Sequence, residues 1–206
     1  MGDIARNPVA TMNITKIRFI PTPRLVSATI YPFISRWSRG VRVGLFFTLL
    51  LFATAAIASE PEVCFTPGQD CTSVIVVEIN AAQQQILVQA YSFTSAPIAS
   101  ALVDAHKRGV DVRAILDKSQ RTERYSSASF LVNSGIPTWI DDKVAIAHNK
   151  VMVIDGKIVI TGSFNFTKSA QERNAENLLI LHDPELASKY AQNWEARREH
   201  SVRYSK

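Results

Sequence analysis

This chain of 206 residues contains only two cysteines and four histidines. No CxxC pair occurs, and no Cys/His cluster has metal-ligand spacing, so zinc modules and thioredoxin-type redox sites are excluded. Internal repeats and low-complexity tracts are absent, which removes solenoids and disordered tails. A globally basic surface is also missing from residues 59–206. The formal net charge is +5 with a pI near 9.4. Residues 1–58, however, hold seven of the Lys and Arg residues and one acid, Asp3. The remainder keeps 16 of 23 bases and 17 of 18 acids, formally −1. That balance gives no overall nucleic-acid footprint. Local cation sets remain at Lys107, Arg108 and Arg113, and at Lys118, Arg121 and Arg124.

Residues 43–58 form an uncharged, mostly apolar run that follows Arg36, Arg39 and Arg42 and closes on Ala56-Ile57-Ala58. A basic flank, a short apolar region and a small-residue end describe a secretory signal. Cleavage is expected after Ala58, with export to the periplasm or medium. At 16 residues the run is short of the roughly 20 that span a bilayer, so an uncleaved anchor is the alternative. Residues 1–42 contain Pro8, Pro21, Pro23 and Pro32 and no helical or strand pattern. The expected division is therefore 1–58, extension and signal, and 59–206, one domain long enough for a real core. Cys64 and Cys71 both fall in the second part. In an exported chain they suggest a local disulfide, worth roughly 2–3 kcal/mol on the chain-entropy model.

Along residues 59–206, periodicity predicts helices over about 72–84, 97–108, 120–133, 166–173 and 184–200. Strands are expected over about 86–93, 110–116, 138–140 and 177–181, with a hairpin of 151–154 and 157–160. Strands that are apolar on both faces and alternate with helices imply an α/β sandwich, a central mixed β-sheet flanked by helices.

The chemistry concentrates in His148-Asn149-Lys150, Asp155 and Gly162-Ser163-Phe164-Asn165. Asp155-Gly156 suits a type I′ turn, which needs positive φ at both central positions. A two-residue turn sets Ile154 against Lys157, Lys150 against Thr161 and His148 against Ser163. Alternation then puts His148, Lys150, Ser163 and Asn165 on one face. An imidazole, an ammonium, a hydroxyl and an amide on one patch form a phosphate-handling set. Singly, each has a blander reading: a surface histidine, a solvated lysine, loop residues closing a hairpin. Asp155, Gly156 and Gly162 are expected to shape the backbone rather than react.

Written as HxK, four residues, D, six residues, GSxN, the pattern resembles the HKD signature of the phospholipase D superfamily. The segments 86–94 and 109–117, and Glu176-Asn177, resemble its small bacterial Nuc-type endonucleases. The resemblance implies that His148 attacks phosphorus to give a phosphohistidine, or serves as the acid. It implies that Lys150 and Asn165 hold phosphate oxygens, that Ser163 supports the site and that Glu176 orients a catalytic histidine by hydrogen bond. No metal and no cofactor are implied. Imidazole exchanges protons near neutral pH, and two displacements ease one difficult hydrolysis.

That mechanism needs two histidines, and the chain has one motif. His106, His182 and His200 lack any such context and are expected at the surface. An isologous homodimer sharing one active site supplies the second His148. Lys118, Arg121 and Arg124 follow a strand end and could form a rim for phosphate backbone. The expected function is a metal-independent phosphodiesterase, a secreted or periplasmic non-specific endonuclease on DNA or RNA. The alternatives are a phospholipase D acting on phospholipid headgroups and a non-catalytic phosphate-binding module.

Overall fold

A computed structural model describes residues 60–205. The expected signal and extension, residues 1–58, lie outside the described residues. The order is β1 Glu62–Thr66, α1 Cys71–Ala81, β2 Gln85–Ala90, α2 Ala96–Lys107, β3 Asp111–Asp117, a 3-10 turn Lys118–Arg121, α3 Ala128–Asn133, β4 Thr138–Asp141, β5 Lys150–Ile154, β6 Ile158–Gly162, α4 Lys168–Glu172, β7 Glu176–His182, α5 Pro184–Glu199 and β8 Val202–Arg203. The eight strands make one mixed sheet in the order β1-β7-β6-β5-β2-β3-β4-β8. Pairings β2–β3 and β3–β4 are parallel, and the others are antiparallel. This is the expected α/β sandwich.

Strand alternation divides the core between two sheet faces. Ile86, Val88, Val112, Ala114, Met152, Ile154, Ile160 and Ile180 point to one side, against Ile75 and Ile79 of α1, Ile98 and Leu102 of α2, and Leu131 of α3. Leu87, Ile115, Val151, Val153 and Val159 point to the other, where Ala187 and Trp194 of α5 cover them. Fully burying a side chain such as Ile or Leu stabilises by about 1.5–3 kcal/mol. The Trp194 indole also donates to the Val88 carbonyl at 2.8 Å, so its one polar atom is satisfied.

Several expectations need correction. The single helix expected over 120–133 is a 3-10 turn, an irregular stretch and a short α3. Its serines explain this, because Ser and similar residues offer the backbone non-helical partners. The helix expected over 166–173 shortens to Lys168–Glu172, since Thr167 takes the N-cap and its side chain accepts from Ala170 N–H. Strands β1 and β8 were not anticipated. Their short edge patterns carry little periodicity, and β1 is recognisable through its pairing with β7, Thr66 opposite Glu176. Cys64 and Cys71 are disulfide-bonded, tying β1 to the start of α1.

The hairpin register is also shifted by one residue. Asp155 and Gly156 have φ of 53° and 61°, as the turn requires. Yet Ile154 pairs with Ile158 and Met152 with Ile160, leaving Lys157 as an extra residue. The carboxylate of Asp155 meanwhile accepts the backbone N–H groups of Gln83, Gln84 and Gln85 at 2.7–2.9 Å. Asp155 therefore pins the hairpin tip to the loop before β2, at the end of β5 remote from His148.

Candidate active site

His148, Lys150, Gly162, Ser163, Asn165 and Glu176 line one open cleft of about 420 Å³. It lies where β5 and β7 begin and β6 ends, at a single edge of the sheet. With the shifted register, the hairpin alone does not bring these residues together. A bulge does. The Asn177 carbonyl accepts both Ser163 N–H at 3.0 Å and Phe164 N–H at 3.1 Å, two residues against one. Gly162, at φ +143°, makes the bend possible. A Cβ there would lie 2.3 Å from the Asn177 carbonyl oxygen, so the position admits only glycine. Phe164 and Phe166 then anchor in the core, while Ser163 and Asn165 reach the cleft.

Lys150 is 8% exposed. Its ammonium lies 3.0 Å from both Nδ1 and Nε2 of His148 and donates to the His148 carbonyl at 3.2 Å. It also stands 5.2 Å from the centre of the Tyr91 ring. Burial lowers its pKa, and the charge of Glu176 opposes that shift. No described carboxylate forms an ion pair with it. A buried cation without a paired anion is costly, and an anionic ligand in the cleft would offset that cost.

Ser163 is saturated within the chain. Its hydroxyl donates to Glu176 Oε2 at 2.6 Å and accepts from Asn177 N–H at 3.0 Å. Glu176 Oε1 accepts from the Asn174 amide at 2.9 Å. The hydrogen bond from Glu176 to His148 that the resemblance implies is not made within this chain. The carboxylate is held in place by Ser163 and Asn174 instead. Asn165 is the opposite case: its Oδ1 is buried without a partner. Leaving such an acceptor unpaired costs about 1–3 kcal/mol; toward a phosphate oxygen, only the Nδ2–H of this amide can donate.

Two residues of the site were not singled out from sequence. The Tyr91 ring packs against the His148 ring at 4.6 Å between centres, tilted by 53°. Asp117, 3% exposed at the end of β3, accepts Ala147 N–H at 2.7 Å and Ser119 N–H at 2.9 Å. Burial acts to raise the Asp117 carboxyl. The N–H donors and the charge of Lys118 outweigh it, and the pKa is lowered. This carboxylate fixes the residue immediately before His148. Its only sequence signal is an acid closing an apolar strand.

Residues 75–198 match the family model described as "Cardiolipin synthase, PLD-like domain". The chain belongs to the phospholipase D superfamily. A protein named Phospholipase D from Rickettsia felis is 47% identical over 138 residues, 67% of this chain and 69% of the relative. A Mitochondrial cardiolipin hydrolase from Xenopus laevis is 29% identical, covering 78% of each. The crystal structure of Nuc from Salmonella typhimurium, a phospholipase D family member, superposes with a TM-score of 0.67 at 39% identity. That match covers 71% of this chain and all of Nuc. The chain is a phosphodiesterase of the superfamily, and the fold is that of Nuc.

The cleft gathers His148, Lys150, Ser163 and Asn165, the residues of the HxK and GSxN pattern. The rim residues Lys118, Arg121 and Arg124 lie outside the cleft lining. They follow β3, two strands from β5, on the same sheet edge. Lys118 donates to the Val144 carbonyl at 3.2 Å, which ties that rim to the segment entering His148. His106, His182 and His200 do not line the cleft. His182 sits opposite Ile158 at the far end of β7.

Proposed function

We propose that the chain is an exported, metal-independent endonuclease that hydrolyses nucleic-acid phosphodiesters through a phosphohistidine. The observation that carries this reading is the polar lining of the cleft. Lys150, which forms no ion pair with a described carboxylate, and the amide of Asn165 stand beside an exposed His148, and no apolar side chain lines the space. Such a cleft suits a phosphodiester held by its oxygens.

In the proposed first step, one imidazole nitrogen of His148 attacks phosphorus and the bond to the leaving oxygen breaks. The His148 of a second copy donates a proton to that oxygen. Water then attacks the phosphohistidine, losing its proton to the second histidine, and the N–P bond breaks. Lys150 and Asn165 hold the non-bridging oxygens through both displacements. Ser163 keeps Glu176 facing the cleft. Since one chain provides one motif histidine, the working unit is a homodimer with a single shared site.

The second reading is a phospholipase D acting on a phospholipid headgroup. It is favoured by the names of the relatives in Rickettsia felis and Xenopus laevis. Both substrates present the same atoms to His148. Assaying plasmid DNA, RNA and phosphatidylcholine vesicles side by side with the protein from Ser59 onward decides between them. Cleavage of the nucleic acids with intact lipid supports the first reading, and choline release with intact nucleic acid overturns it.

A further inference from the structure

The segment 118–127 forms a braced rim beside the cleft. At its start, the Asp117 carboxylate joins Ser119 N–H to Ala147 N–H, and Lys118 reaches the Val144 carbonyl. In its middle, the buried Gln120 side chain accepts Phe93 N–H at 3.2 Å. At its end, Ser127 N–H donates to the Phe93 carbonyl at 2.9 Å. The rim is thus tied both to the segment entering His148 and to a point two residues beyond Tyr91, whose ring touches His148. Counting about 3.8 Å per residue, Tyr125 lies within roughly 20 Å of Tyr91 along this path.

This braced segment displays unusual chemistry for a surface loop. Tyr125 is 70% exposed, the most exposed large hydrophobic residue among those described. The Arg124 guanidinium lies 5.4 Å from its ring centre. Lys118, Arg121 and Arg124 form no ion pair with a described carboxylate. Glu123 stands between the two arginines, with its carboxylate 3.5 Å from Tyr125 N–H. Nothing in the fold uses the Tyr125 ring, and the hydrogen bonds that hold the segment come from backbone groups, Asp117, Lys118 and Gln120.

We infer that this rim is a nucleobase-stacking subsite: Tyr125 stacks a base of the substrate strand while Arg121 and Arg124 hold its phosphates. An aromatic face beside unpaired cations is the combination that binds unpaired nucleic acid, because every base has a π-face and every linkage an anion. A base inside a duplex presents no free face, so the subsite acts on single strands. The inference rests on the nucleic-acid reading above and adds a place and a residue to it.

The test compares Tyr125→Ala, Tyr125→Trp and wild type on three substrates. These are a single-stranded oligonucleotide of about 12 nucleotides, the same sequence as a duplex, and bis(4-nitrophenyl) phosphate, which fits the cleft without reaching the rim. Loss of one stacked base should raise the oligonucleotide KM about tenfold or more, with kcat little changed. Hydrolysis of the small diester should be unaffected, and Tyr125→Trp should restore the KM. An unchanged oligonucleotide KM in Tyr125→Ala overturns the subsite, as does a parallel loss on the small diester, which would mark a structural role. Wild type that cleaves the small diester but no oligonucleotide defeats the nucleic-acid reading itself. Binding to phosphatidylglycerol vesicles that Tyr125→Ala abolishes, with oligonucleotide kinetics intact, would reassign the rim to a membrane surface.

Discussion

The Lys150 ammonium is equidistant, at 3.0 Å, from the two ring nitrogens of His148. The lone pair or N–H of each nitrogen lies in the ring plane and points in a different direction, so one cation cannot align with both. The ammonium stands 5.2 Å from the centre of the Tyr91 ring, to the side of the Tyr91–His148 ring pair, whose centres are 4.6 Å apart. It is held close to the proposed nucleophile without consuming either nitrogen.

This placement sets stability against activity. Burial lowers the Lys150 pKa, so folding disfavours its charged form, which is the form present at neutral pH. Lys150→Met should therefore melt at the wild-type temperature or above it. Its turnover should fall at least a hundredfold, because the contact to the phosphoryl oxygens is gone. Inorganic phosphate should raise the wild-type melting temperature and leave that of Lys150→Met unmoved. A destabilised Lys150→Met would contradict the account.

Gly162→Ala tests the bulge. The added Cβ meets the Asn177 carbonyl oxygen at 2.3 Å, a backbone atom that cannot swing away. A side chain is also strained at φ +143°. The expected result is a loss of about 2–4 kcal/mol, or failure to fold, by the usual scale for backbone strain and overpacking. Ser163→Ala, which leaves the backbone alone, should melt within a few degrees of wild type yet lose activity as Glu176 is released. Equal melting temperatures for Gly162→Ala and wild type would show that the bulge does not need glycine.

Asp155 should matter to stability and not to turnover. Burial acts to raise its carboxyl, but the N–H groups of Gln85, Gln83 and Gln84 and the charge of Lys157 outweigh this, and its pKa is lowered. A depressed carboxylate contributes stability above its ordinary value of 3.8 and loses it as pH falls through the folded value. Asp117 follows the same sign. Melting temperature should thus fall steeply on acidification below about pH 4, the ordinary carboxylate range. In Asp155→Asn that acid slope should be shallower, and stability at pH 7 lower by about 2 kcal/mol, the scale of hydrogen bonds to a charged group. A kcat below a third of wild type in folded Asp155→Asn would place Asp155 in the chemistry instead.

Much of this was legible in the chain. The hairpin strands, the closing helix from Pro184 and the strand–helix alternation carry strong periodic signals and all form, with the second hairpin strand beginning at Ile158 rather than Lys157. The HxK and GSxN residues do meet. The reason they meet was not legible. The turn chemistry of Asp155-Gly156 specified the φ values correctly but not the extra residue Lys157, and the bulge at Asn177 depends on a strand pairing remote in sequence. The sequence carries no signal for the roles of Asp117 and Tyr91, for the same reason. Their roles are contacts to Ala147 and His148 made only when β2, β3 and β5 lie side by side.

Activity should survive excess EDTA. In the proposed mechanism the charge on phosphorus is met by Lys150 and Asn165, and the nucleophile is a side chain rather than a metal-bound water. Rates on plasmid DNA in excess EDTA should match those without it. Complete loss restored by Mg²⁺ or Zn²⁺ would rule the mechanism out.

The proposed shared site makes the sharpest demand. His148 is the one histidine lining the cleft, and the two-step mechanism needs a nucleophile and an acid at once. Two copies related by a two-fold axis would supply them as His148 from each. His148→Ala should then abolish hydrolysis in the homodimer. A heterodimer of wild type and His148→Ala, made by co-expression with two different tags and purified on both, keeps a single histidine in its one site. It lacks either nucleophile or acid, so its rate should lie far below half of wild type, closer to that of the double-mutant dimer. If each chain instead held a complete site, the heterodimer would run at half the wild-type rate. That result, or a fully active monomer by light scattering, would defeat the shared-site proposal while leaving the chemistry of His148 open to a different acid.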